Sequence, residues 1–147
     1  MSRNDGNPMT PDLQSSLLCD DVRQERNGKF IVIGIFDGLV LSSFPAHFPR
    51  LCLINRWCCG EGSFTQRSRL IGPDGQTRLV EGQPVPIQLT DDNQVATSVE
   101  IFVNLRIPQA GPYWVEILLD QSLRLRYPLH VRQAVQQPPQ GKPPPTP

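Results

Sequence analysis

The sequence carries no surplus of charge, no long apolar run, only two histidines and no spaced pair of cysteines. Each shortage excludes a class of function. Lys and Arg total 14 against 14 Asp and Glu, whereas a phosphate backbone or an anionic membrane surface calls for a basic excess. Neither nucleic acid nor membrane is therefore an expected partner. No segment reaches the roughly 20 apolar residues that a spanning helix needs. The opening residues MSRNDGNPMTPDLQ hold no hydrophobic stretch of the secretory kind. Cys19, Cys52, Cys58 and Cys59 thus read as reduced thiols of a cytoplasmic protein.

Structural zinc is held by short-spaced ligand pairs. Here two cysteines are adjacent, and the only histidines, His47 and His130, lie far apart. Asp20-Asp21 and Asp91-Asp92 lack the oxygen spacing of a calcium loop, and Asp91-Asp92-Asn93 reads as a solvated turn. Cys19 beside two aspartates sits in the wrong field for a nucleophilic thiolate. No elbow serine and no phosphate-cradling glycine loop occurs. The expectation is no metal, no cofactor and no catalytic residue. The alternative is a hydrolase or metal-dependent enzyme whose site assembles from distant residues.

What is present is a period of two. No stretch has a helical period, and Gly and Pro punctuate short alternating runs. Strands are predicted at Leu17–Glu25, Lys29–Phe36, Leu51–Cys59, Phe64–Ile71, Thr77–Val80 and Val99–Ile107, followed by a hairpin over Gly111–Val131. Asn27-Gly28 marks a tight hairpin turn, because both residues tolerate positive φ. Gly72-Pro73-Asp74-Gly75 marks a second. The fold class is all-β: an immunoglobulin-like β-sandwich of seven to eight strands, with a barrel as the alternative. Residues 1–15 and the proline-rich 133–147 are expected to be disordered around a domain at 16–132. Pro144 to Pro147 form one Pro-x-x-Pro, a polyproline-ligand pattern that here more simply marks a disordered tail.

Side-chain parity fixes the last hairpin's register. Ile117 meets Leu125 and Val115 meets Tyr127 only if the connection, written as Asp120-Gln121-Ser122, is odd in length. Glu116 then faces Arg126 across the outer side, a favourable pair.

Leu105-Arg106-Ile107-Pro108-Gln109-Ala110-Gly111-Pro112-Tyr113 resembles the passage between the fifth and sixth strands of immunoglobulin-like domains. There a Gly and then a Tyr open the strand as a tyrosine corner. Two residues after Tyr113 stands Val115 in place of a cysteine, so the resemblance implies the architecture without the disulfide. The run Leu18-Cys19-Asp20-Asp21-Val22-Arg23-Gln24-Glu25, with Asn27-Gly28-Lys29, Ile33-Gly34-Ile35, Phe44-Pro45 and Phe48-Pro49, resembles a small bacterial family of unknown function over roughly residues 17–131. That resemblance implies a bacterial, cytoplasmic, single-domain protein and no particular activity.

The remaining signal is apolar surplus. With Ile31, Ile33 and Ile35 inward, Phe30, Val32 and Phe36 face out; with Val99, Ile101 and Val103 inward, so does Phe102; Trp114 and Leu118 do likewise on the hairpin. The segment Leu41–Pro49, through Phe44 and Phe48, is the candidate cover. Otherwise Phe102, Trp114 and Leu118, with Arg124 and Arg126, form a possible partner-binding surface. Arg124, Arg126, His130 and Arg132, with Arg67 and Arg69, read first as a solvated sheet face. The expected function is binding to a protein partner of unknown identity or to a second copy, without catalysis.

Overall fold

The computed structural model describes residues 9–135, and among them no helix forms. Ten strands build the domain: β1 (Asp12–Gln24), β2 (Phe30–Phe36), β3 (Gly38–Leu41), β4 (Ala46–Cys58), β5 (Gly62–Ile71), β6 (Arg78–Glu81), β7 (Val85–Leu89), β8 (Val95–Ile107), β9 (Gly111–Leu119) and β10 (Ser122–Gln133). They form a sandwich of a four-stranded sheet, β2-β1-β4-β8, and a six-stranded sheet, β3-β10-β9-β5-β6, with β7 also on β5. Two short strands, β3 and β7, take the number beyond the expected seven or eight. Pro86 interrupts β7 as a sequence signal, yet Ile87 and Leu89 are buried. No helix of the described residues is long and apolar enough to cross a membrane.

The turns follow their chemistry. Gly28, at φ 91°, closes the β1–β2 hairpin, where Asn27 Oδ1 accepts from Lys29 N at 3.0 Å. Asp74 Oδ1 accepts from Gln76 N and Thr77 N in the β5–β6 turn. Every strand pairing is antiparallel except β3 with β10. Tyr113 Oη donates to Gln109 O at 2.6 Å, which is the tyrosine corner that the Gly-Pro-Tyr passage implied.

The hairpin register agrees with the parity argument: Ile117 faces Leu125, Glu116 faces Arg126 and Val115 faces Tyr127. Its mechanism differs from a three-residue loop. Asp120 and Gln121, at φ 48° and 68°, make a two-residue turn, and the register then shifts between Leu123 and Leu125. Arg124 is the extra residue, a β-bulge that restores the odd count.

Two expected facings are reversed. Asn104, at φ 54°, turns β8 over midway. Leu105 and Ile107 face the core on one side of it, and on the other side Phe102 packs against the core while Val99, Ile101 and Val103 are exposed. β4 reverses with it at Pro49, so Phe48 pairs with Leu105 and Arg50 with Val103 without loss of register. In β2, Phe36 packs into the core and Ile31, Ile33 and Ile35 face solvent. Phe44 and Phe48 pack against the same core, with Phe48 edge-on to Phe36 at 6.4 Å. They join that core together with Phe36, one of the side chains expected to face out.

β1 begins at Asp12, four residues before the expected domain boundary at 16. Pro11 is fully buried, and Arg124 Nη2 donates to its carbonyl at 2.9 Å. At the other end β10 stops at Gln133, close to the expected limit. The Pro-x-x-Pro at 144–147 and the readings for residues 1–8 lie outside the described residues.

Candidate functional site

The outer face of the four-stranded sheet is apolar across all four strands. Registers place Ile35, Cys19, Cys52 and Ile101 side by side in one row. The next row holds Leu17, Ile54 and Val99. Cys19, Cys52 and Ile54 form a small buried cluster of their own, with Leu17, Val22 and Val32 packed against it. At the flanks Ile35 is 60 % exposed, Ile101 49 % and Val103 69 %. Polar groups bound this patch: Arg50 Nη2 sits 3.1 Å from Asp21 Oδ1, and Arg23 Nε 3.3 Å from Asp21 Oδ2. Those two guanidiniums hold the Asp21 carboxyl below its ordinary range, with the Arg23 hydrogen bond the larger cause. An apolar centre with a charged rim is the anatomy of a protein contact surface.

The two thiols in that row are poor nucleophiles. Burial pushes Cys19 up to about 11, and Cys52, Asp20 and Asp21 raise it further through their charge. Burial raises Cys52 as well.

The opposite face, on the six-stranded sheet, is charged. Glu81 gathers Arg67, Arg69 and Arg78 at 3.4–3.7 Å, and Arg126 meets Glu116 at 3.4 Å. Here lie most of the residues expected to bind a partner, and they do not make one surface. Trp114 faces out as parity required, but Arg126 lies 4.7 Å over its ring. Leu118 keeps the outward parity of Trp114 and Glu116 but is only 5 % exposed, covered between Arg67 and Leu123 on the neighbouring strands, so it offers no free surface. Arg124 is occupied by the Pro11 carbonyl. Phe102 belongs to the interior, because the reversal at Asn104 carries it there.

A polar cluster lies between the sheets. Trp57 Nε1 and Ser98 Oγ both donate to Gln66 Oε1, at 2.7 and 2.9 Å. Gln66 Nε2 donates to Glu100 Oε1 at 3.0 Å, and Ser68 Oγ donates to the same oxygen at 2.5 Å. Beside them Asn55 is fully buried, and its amide finds no hydrogen-bonding group among the described residues. Burial holds the Glu100 carboxyl above its ordinary range, only partly offset by the donors Ser68 and Gln66. Glu100 also lines a cleft of about 510 Å³ between β8 and the β6–β7 connection, whose walls include Leu79, Gly82, Val85, Phe102 and the charged Glu81 and Arg106.

Reasoning from alternation assigned Ile33, Ile35, Ile101 and Val103 to the core and left Glu100 unremarked outside it. The usable signal was Asn104, a residue tolerant of positive φ in the middle of a β-branched run, opposite Pro49 on the paired strand.

Residues 14–132 match the model of a family described as a family of unknown function, DUF6941. The matched span runs from β1 to β10 and agrees with the resemblance seen in residues 17–131. No curated protein matches the chain.

Proposed function

We propose, for a chain that belongs to the DUF6941 family of unknown function, that it is a non-catalytic interaction module of the bacterial cytoplasm. Its contact surface is the outer face of the four-stranded sheet. The observation that carries this reading is the set of exposed apolar side chains Ile35, Val99, Ile101 and Val103 flanking the buried Cys19–Cys52–Ile54 cluster on that face. Exposed large apolar side chains gathered on one sheet face and rimmed by charged groups have the character of a contact surface.

Capture from the native host tests the reading, with wild type compared against the double variant Ile35→Asp/Ile101→Asp. A partner recovered stoichiometrically by wild type, lost by the double variant and kept by Arg124→Ala supports it. If the partner stays on the double variant, the surface lies elsewhere. Self-association of wild type that the double variant abolishes would make the partner a second copy.

A further inference from the structure

We propose that the cleft between β8 and the β6–β7 connection binds a lysine or arginine side chain carried by an extended peptide that adds to the edge of β8. The first ground is charge. Asp21, Glu81 and Glu116 each have arginine partners, whereas the half-buried Glu100 has only the neutral donors Gln66 and Ser68. Both donors use Oε1, and Oε2 receives no hydrogen bond from the described residues. A cation arriving there gains a charge-assisted bond in a sheltered place, where such bonds are strongest.

The second ground is space. A Cβ on Gly82 would come within 2.3 Å of Glu100 Oε2, so the glycine keeps that oxygen clear of side-chain atoms. Gly82 N donates to Ser68 O at 2.8 Å, which anchors the turn beside the cleft. A volume of about 510 Å³ lies within the ordinary range of ligand clefts.

The third ground is the edge. β8 is the last strand of its sheet, and its length up to Val103, before the turn-over at Asn104, carries no proline or lysine. A strand laid along it would point every second side chain to the side that Glu100 and Phe102 occupy, so alternation supplies the specificity and the main chain the affinity. This site is distinct from the apolar sheet face. Ile35→Asp, on the far edge of the sheet, should weaken a partner of that face and leave the peptide untouched, so the two readings fail separately.

Three probes test it on the full chain by amide chemical-shift titration. One is a nine-residue capped peptide of alternating threonine and valine with a single central lysine. The second replaces that lysine with norleucine, and the third is the lysine peptide N-methylated along the bonding edge. The lysine peptide is expected to shift amides of β8 and Gly82 and to bind at least 10-fold more tightly than the norleucine peptide. The methylated peptide should not bind. Glu100→Gln keeps an oxygen for Ser68 and Gln66 and should abolish the preference with the amide spectrum otherwise intact; Glu100→Asp should retain it. Equal affinity for lysine and norleucine, a lysine preference that survives Glu100→Gln, or no shift on β8 would overturn the proposal. So would self-association of Glu100→Gln without any lysine preference in wild type, because Glu100 would then be an inward charge that guards the edge.

Discussion

Glu100 and Cys19 show how place decides chemistry at the scale of one residue. Burial raises the Glu100 carboxyl in the folded chain, so the folded state holds its proton more tightly than the unfolded chain does. Stability from this group is therefore present at low pH and lost as pH rises from the ordinary value near 4.5 through the raised one. Glu100→Gln should be at least as stable as wild type at pH 7, and the difference should close below about pH 4. Thermal midpoints across that range check it; wild type gaining on the variant with rising pH would show a stabilised carboxylate instead. The thiols separate in the same way. Cys59 is exposed, while Cys19 and Cys52 are buried with raised values. Alkylation followed by mass spectrometry should modify Cys59 first and leave Cys19 and Cys52 unmodified until the chain unfolds.

At the scale of the element, β8 and the β9–β10 hairpin show what the sequence disclosed and what it hid. The hairpin register was legible because a period of two leaves only one pairing that puts apolar opposite apolar. The bulge at Arg124 was not, since a turn plus a bulge and a longer loop give the same parity. In β8 the alternation was clean from Val99 to Ile107, yet it describes two half-strands facing opposite ways. Nothing in hydrophobicity alone separates Ile101 from Leu105; the backbone at Asn104 does. Asn104→Gly should be tolerated within about 0.5 kcal/mol, because glycine adopts positive φ freely, whereas Asn104→Val should cost about 1–3 kcal/mol. Chemical denaturation of both variants decides it. A harmless valine would mean that the strand does not turn over there. In the hairpin, Ile117→Ala should cost about 2–4 kcal/mol, the range for emptying a buried aliphatic site. Trp114→Ala should cost less, since its ring is half-buried and held chiefly by Arg126.

The whole molecule is a sandwich with unlike faces. One sheet presents Arg67, Arg69, Arg78 and Arg126 already paired with Glu81 and Glu116, a face satisfied in water. The other presents Ile35, Ile101 and Val103. The sandwich itself, its long hairpins and the tyrosine corner were legible from turn residues and alternation. Which sheet carried the apolar surface was not, because that depended on two reversals of facing in β2 and β8. Boundaries matter at this scale too. Removing residues 1–8 should leave the thermal midpoint within about 2 °C, whereas removing 1–15 takes away Pro11 and the start of β1 and should lower it by more than about 5 °C. Equal midpoints for the two truncations would place Pro11 and the first turn of pairing outside the cooperative fold.

The central claim is that the outer face of the four-stranded sheet is the contact surface, and carbene labelling of side chains with and without the captured partner tests it most directly. Labelling of Ile35, Ile101 and Val103 should fall severalfold in the complex, while Trp114, Arg126 and Leu123 on the opposite sheet keep theirs. Protection of Trp114 and Arg126 with Ile35 and Ile101 unchanged would contradict the account.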